Sequence, residues 1–249
     1  MKIIKALQMA VGMFSTFPTP KDSWDDACRG LVIPLFPAIG ALIGGVWYGV
    51  SCLLLWAGLP LALVAALAGL SPFFASGCLH LDGWMDTMDA FFSRRELEEK
   101  KRILKDPHMG AFAVAGLAGL FVVHFAAFYT VLDGRKALLG LVFLCTLSRV
   151  AVGLALLNRK PFADTGYMVL LQQGKKPVHT LWLLGVGIGM LLLAATLDWK
   201  IAAACMVALL AAAVAEEKLL RSMGGLSGDL CGCILTASEV CGLLCLAIL

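Results

Sequence analysis

The sequence predicts an all-α, polytopic membrane bundle of about seven transmembrane helices with a cytoplasmic N-terminus. Three observations carry that prediction. The 249-residue chain is 60% hydrophobic, only 15% charged, and has a mean hydropathy of +0.89, whereas soluble domains have about 25% charged and about half apolar residues. Seven apolar runs approach the roughly 20 residues that cross a bilayer core, at about 31–57, 59–80, 109–131, 137–157, 177–197, 199–215 and 231–249. The lysines and arginines fall on alternate sides of these runs. Placing the N-terminus inside puts sixteen in cytoplasmic segments and only Arg135, Lys136 and Lys200 outside, with Arg149 within a span. The same bias places the C-terminus outside in a multi-pass protein.

The opening "MKIIKALQMAVGMFSTFPTP" pairs Lys2 and Lys5 with an apolar run closed by Pro18 and Pro20. No small-residue cleavage site follows, so residues 1–20 read as an amphipathic segment on the membrane surface rather than a signal peptide. Pro34, Pro37 and Pro72 fall inside predicted spans, where neighbouring helices can cover the freed backbone groups. "GALIGG" at Gly40–Gly45 suits close helix packing. The boundary between the runs 177–197 and 199–215 is the least defined. No linker, low-complexity tract or long repeat divides the chain, which reads as one membrane domain over 1–249. A net charge of +3 is too small to point to nucleic acid. A homo-oligomer is compatible with the sequence.

The nine cysteines sit mostly within spans, where cysteine behaves as a small hydrophobe. Cys231-Gly-Cys233 lacks zinc-knuckle spacing and an accompanying histidine pair. Neither disulfides nor zinc are expected. His124 reads as a hydrogen-bonded packing residue.

Chemistry concentrates in "LHLDGWMDTMDAFFSRRELEEKKRILKDPHMG", residues 79–110. On a helix Asp82, Asp86 and Asp89 lie within about 60° of one another, so three carboxylates share one stripe. Like charges held together call for a cation. Mg²⁺ takes oxygen ligands and usually keeps water and substrate phosphates in its shell. Arg94, Arg95, Lys100, Lys101, Arg102 and Lys105 follow at once. Carboxylates for metal and cations for phosphate oxygens are the parts of a phosphoryl-transfer site. Residues 81–108 hold 13 of the chain's 37 charges. A solvated face or a span cap explains such density less well, and the segment reads as a cytoplasmic-edge active site. "GGLSGDL", Gly224–Leu230, is compatible with a phosphate-binding loop in which Asp229 adds a metal ligand, and equally with a plain inter-helix turn. Arg149 and Glu239 are intramembrane charges, and such residues usually face the bundle interior and pair. Glu239 either reaches the site or neutralises Arg149.

These residues together resemble the cobalamin synthase family, the adenosylcobinamide-GDP ribazoletransferases. His80, Asp82, Gly83, Asp86, Thr87 and Asp89 match the family's aspartate motif, and Arg95, Lys105, Asp106 and Gly110 match the basic stretch that follows. "FSTFPTP", "FPAIGALIGG", Ser148–Arg149 and "GGLSGD" with Glu239 resemble its other segments, so the likeness covers nearly the whole chain. The chain departs from the family pattern at Ala90, His108, Ser227, Thr236 and near Asp164. The resemblance implies that a ribose hydroxyl of α-ribazole, or of its 5′-phosphate, attacks the activated phosphate of adenosylcobinamide-GDP and releases GMP. Its implied site comprises Asp82, Asp86 and Asp89 as metal and catalytic ligands, with His80, Arg95, Lys105, Asp106, Ser227 and Asp229 on substrate.

Two other classes fit parts of the pattern. A CDP-alcohol phosphotransferase also clusters aspartates at a membrane surface, but its motif has an Ala-Arg that is absent after Gly83. A cation transporter is expected to hold its acids near the bilayer midplane, whereas here they gather at one edge beside cations suited to phosphate.

Overall fold

A computed structural model describes residues 2–20, 22–134, 137–162 and 167–249. Among the described residues the chain forms eleven α-helices and no strand: α1 Lys2–Phe14, α2 Phe36–Trp56, α3 Leu61–Ala75, α4 Leu79–Phe92, α5 Leu97–Ile103, α6 Ala111–Asp133, α7 Gly140–Asn158, α8 Tyr167–Gln172, α9 Pro177–Leu197, α10 Trp199–Met223 and α11 Gly228–Ile248. Six of them, α2, α6, α7, α9, α10 and α11, are long and apolar enough to cross a bilayer. The helix α7 is the hub. It packs against α2, α9, α10 and α11, and Phe143, Leu144, Leu147 and Val150 are buried within it.

The expected run 59–80 ends early. Helix α3 stops at Ala75, Gly77 and Cys78 take left-handed conformations with φ of 64° and 58°, and α4 leaves at 90° to α3. Glycine adopts such a φ without strain, and Cys78 follows it into the turn. The acidic stripe therefore belongs to a separate helix turned across the end of the bundle rather than to the tail of a straight span. Elsewhere the bounds move by a few residues. Two short 3-10 turns over Asp26–Leu31 and Ile33–Leu35 precede α2, and α10 runs eight residues past the expected 215. Asp198 divides α9 from α10 because its carboxylate accepts the Lys200 N–H and caps the new helix.

The glycines of "GALIGG" work as expected at two positions. A Cβ on Gly40 or Gly44 would meet the α7 backbone at Cys145 or Val142 within 3 Å, so α2 and α7 touch backbone to backbone; Gly45 faces open space. His124 also packs as expected. Its ring stacks on Trp47 and its Nε2 lies 3.0 Å from the Gly69 carbonyl oxygen.

One end of the bundle collects the starts of α2, α6, α9 and α11 and the ends of α3, α7 and α10. The Thr16 N–H donates to the Ala75 carbonyl, Trp182 Nε1 to Pro34, and Lys100 Nζ to Ser222. Backbone bonds between Lys160–Phe162 and Leu226 strap the exit of α7 to the entry of α11. At the other end Lys200 Nζ donates to the Leu249 carbonyl. Helix α1 lies at the charged end, with Ala6, Met9 and Ala10 buried and Ile3, Ile4 and Leu7 exposed.

Candidate active site

Helix α4 is held against α11 by glycines. A Cβ on Gly83 would stand 2.5 Å from the Asp229 carbonyl oxygen, and one on Gly232 would stand 3.1 Å from the His80 Cα and carbonyl oxygen. Only side-chain-free positions permit this approach. Thr236 Oγ1 donates to the His80 carbonyl across the same crossing. On the opposite flank Trp84 Nε1 donates to the Gly116 carbonyl of α6. The helix that carries the acids is thus clamped between two spans.

The clamp gathers four carboxylates. Asp82 is exposed, while Asp86 and Asp89 are half-buried on α4. Asp229 joins them from the first turn of α11. Burial, followed by the charges of Asp82, Asp229 and Asp89, pushes the Asp86 carboxyl up to about 6. Among the described residues, no three histidine, cysteine or acidic side chains converge closely enough to enclose an ion by themselves. The arrangement is an open acidic face rather than a closed cage.

Asp89 has a structural task as well. Its Oδ2 accepts the Gly110 N–H at 2.6 Å and its Oδ1 accepts the Ala113 N–H at 2.9 Å. It caps α6 from another helix, because the N-cap residue Gly110 has no side chain to do so. These bonds also tie the far end of the basic loop, residues 93–109, back to α4.

Within that loop Lys101 pairs with Glu98 and Arg102 with Glu99 along α5, and Lys100 bonds to Ser222. Arg95 and Lys105 are exposed and form no ion pair among the described residues. Asp106 is occupied locally, accepting the His108 N–H at 3.0 Å and lying 2.7 Å from its Nδ1.

The glycine-rich loop is accounted for largely as a turn. Gly224 closes α10 at φ 76°, Gly225 rests on the backbone of Pro161 and Phe162, and Ser227 Oγ caps α11 by accepting the Leu230 N–H. Ser227 also donates to Asp229 Oδ2 at 3.3 Å. Arg149 and Glu239 lie apart from the acidic face. They form a buried ion pair between α7 and α11, joined by Ser148 Oγ, which bonds Glu239 Oε1 at 2.9 Å. Glu239 therefore neutralises Arg149. Asp164 lies outside the described residues.

Comparison with known proteins identifies the family. The family model described as cobalamin-5-phosphate synthase matches residues 6–247. The chain belongs to the cobalamin-5-phosphate synthase family. It is 36% identical to an adenosylcobinamide-GDP ribazoletransferase of Clostridium perfringens, covering 100% of both chains. It is 32% identical to one of Clostridium botulinum, over 97% of this chain and 96% of the relative, and 33% identical to one of Lachnoclostridium phytofermentans, over 96% and 92%. No solved structure matches the chain. Sequence reasoning missed the Gly83–Gly232 crossing and the capping by Asp89. A glycine opening α6, with no side chain to cap it, was the available signal for the second.

Proposed function

We propose that the chain is a Mg²⁺-dependent adenosylcobinamide-GDP ribazoletransferase working at the cytoplasmic face of the prokaryotic inner membrane. The observation that carries this reading is the acidic face of Asp82, Asp86, Asp89 and Asp229, followed in sequence by the exposed Arg95 and Lys105, which form no ion pair among the described residues, in a chain that matches its relatives end to end.

The donor chemistry suits the ion: it is all oxygen and it repels itself, and Mg²⁺ usually takes few protein ligands and keeps water and substrate phosphates in its shell. Because no three of these side chains stand close enough among the described residues to hold an ion by themselves, Asp82, Asp86 and Asp89 would share Mg²⁺ with the substrate's diphosphate oxygens. When bound, Mg²⁺ neutralises diphosphate charge and lowers the cost of its further build-up at the leaving oxygen. Arg95 and Lys105 hold the oxygens of the departing GMP. A carboxylate of the cluster accepts the ribose proton. The ribose oxygen bonds to the phosphorus bearing cobinamide, and that phosphorus separates from the bridging oxygen, which leaves with GMP. Holding both substrates in line accounts for much of the acceleration. His80 and Asp106 shape the two sides of the site. The exposed Ile3, Ile4 and Leu7 of α1 rest in the lipid interface.

The test is GMP release by purified protein in lipid nanodiscs. Release should require both adenosylcobinamide-GDP and α-ribazole, stop in EDTA and return with Mg²⁺. Release from adenosylcobinamide-GDP alone, or full activity in EDTA, defeats the reading. Arg95→Ala and Lys105→Ala should raise KM for adenosylcobinamide-GDP more than for α-ribazole. A reporter fused after Leu249 that is active only in the cytoplasm overturns the orientation.

A further inference from the structure

Beside the acidic face the bundle encloses a cavity of about 390 Å³. Apolar side chains make most of its wall: Phe14, Phe36, Val152, Leu156, Met168 and Leu171. On the remaining side α4 and α11 supply His80 and Asp229. The rings of Phe14 and Phe36 lie 4.6 Å apart, and the Phe36 ring meets that of His80 edge-on at 6.2 Å. His80 is 93% buried and its Nε2 has no partner. A buried polar atom is normally satisfied, so this nitrogen awaits one. The cavity thus joins three features that nothing in the packing requires together: aromatic walls, one orphan ring nitrogen, and a carboxylate shared with the reaction face.

We propose that this cavity is the acceptor subsite, taking the aromatic base of the ribazole nucleoside between Phe14, Phe36 and Met168 and leaving its ribose at Asp229. The assignment rests on the transferase reading above. A dimethylbenzimidazole base is flat and almost wholly apolar, with a single ring nitrogen free once the other carries ribose. Rings of this kind favour offset and edge contacts with phenylalanine and contacts with methionine sulfur. His80, neutral with its proton on Nε2, donates to the free ring nitrogen, and each orphan satisfies the other. A purine in the same place brings further ring nitrogens and an exocyclic amine against Val152 and Leu156, where they find no partners. An apolar wall of this kind discriminates against added polar groups by about a hundredfold.

Size separates the two substrates. A cavity at the low end of ligand-pocket volumes takes a nucleoside base and excludes a corrin ring, so adenosylcobinamide-GDP stays on the open acidic face. The two meet at Asp229, which belongs to both. There the ribose hydroxyl gives its proton to the carboxylate as its oxygen bonds to phosphorus, and the electron pair of the broken P–O bond leaves with GMP.

Filling the cavity tests this. Met168→Trp and Leu156→Phe, made separately and checked for unchanged thermal unfolding, should raise the Kd for α-ribazole at least tenfold, measured in nanodiscs without the second substrate. The KM for adenosylcobinamide-GDP should stay within twofold. Wild-type protein should bind the α-riboside of dimethylbenzimidazole at least tenfold more tightly than that of adenine. Filled, folded variants with unchanged α-ribazole Kd overturn the proposal, as does loss of a co-purifying lipid on filling with acceptor binding intact. Should both variants misfold, equal affinity of wild-type protein for the two ribosides still overturns it. GMP release from both substrates with unaltered acceptor binding in the variants defeats this assignment alone. Absence of two-substrate release in wild-type protein defeats the transferase reading instead.

Discussion

Asp89 Oδ2 accepts the backbone N–H of Gly110 at 2.6 Å. Twenty-one residues of acidic, basic and loop sequence thus begin and end at one carboxylate, which also accepts the Ala113 N–H. Gly110 is required here because a Cβ would stand 2.5 Å from Asp89 Oδ1. The acidic stripe is consequently not uniform. Asp82 and Asp86 make no side-chain hydrogen bond among the described residues, whereas Asp89 holds α6 and the basic loop to α4.

That division predicts different phenotypes along one stripe. Asp89→Ala should lose about 1–2 kcal/mol of stability, the usual scale of a lost helix cap, together with turnover. Asp82→Asn should lose turnover with stability within about 0.5 kcal/mol, because Asp82 is exposed and its side chain makes no hydrogen bond or ion pair among the described residues. Thermal unfolding and GMP release, measured on the same preparations, separate the two. Equal destabilisation by both changes contradicts the division.

The crowding of Asp86 predicts a pH-dependent stability. Its carboxyl titrates at about 6 in the folded chain against an ordinary value of 3.8, so the folded state binds this proton more tightly than the unfolded state does. The group's favourable contribution is fully present below about pH 3.8 and is lost as pH rises through about 6. Asp86→Asn removes the penalty. In EDTA the variant should melt higher than the wild type at pH 7.5, and the two should melt together near pH 4. A shift of the same size at both pH values rules out this origin.

Much of the fold was legible because hydropathy and charge asymmetry act along the chain, and bilayer spans are local in sequence. The stripe was legible for the same reason: Asp82, Asp86 and Asp89 are spaced by one helical period and a neighbouring turn. The break at Gly77 was not, since "SPFFASGCLHLDG" stays apolar across it and only the left-handed backbone of Gly77 and Cys78 ends the span. Relations between distant segments were equally hidden. Nothing local to Asp229 announces that it lies against Gly83, and nothing local to Glu239 distinguishes a route to the site from a bond to Arg149. Those depend on which helices touch, and small residues such as Gly83 and Gly232 decide that without a periodic signal.

The α4–α11 crossing makes the next prediction. Gly83→Ala puts a methyl group 2.5 Å from the Asp229 carbonyl oxygen, where only backbone movement can relieve it. Overpacking of this kind costs about 1–3 kcal/mol, and it moves Asp229 relative to Asp82 and Asp86. Turnover should fall by more than the stability loss explains, since small displacements of positioned groups cost large factors in rate. Gly45→Ala, on a face with nothing within 4 Å, is the control and should be silent in both measurements. Normal turnover by Gly83→Ala would remove the crossing from any role in placing the acids.

The buried pair makes the last. Arg149 is 1% exposed and its Nη1 bonds to Glu239, Ser148 and the Cys145 carbonyl between α7 and α11. Gly40 lets α2 close over it, since a Cβ there would press on the arginine Cδ at 2.7 Å. Removing one partner strands the other charge in an apolar bundle, which costs about 3–5 kcal/mol, whereas replacing both by apolar residues is often neutral or stabilising. Arg149→Met alone and Glu239→Leu alone should therefore accumulate poorly in the membrane and melt well below the wild type. The double variant should recover most of the accumulation and melting temperature. That recovery is the discriminating result, because a pair needed only to neutralise itself is dispensable as a unit. If the double variant is as unstable as the worse single one, α7 and α11 are held by the Ser148–Glu239 bond rather than by the ion pair.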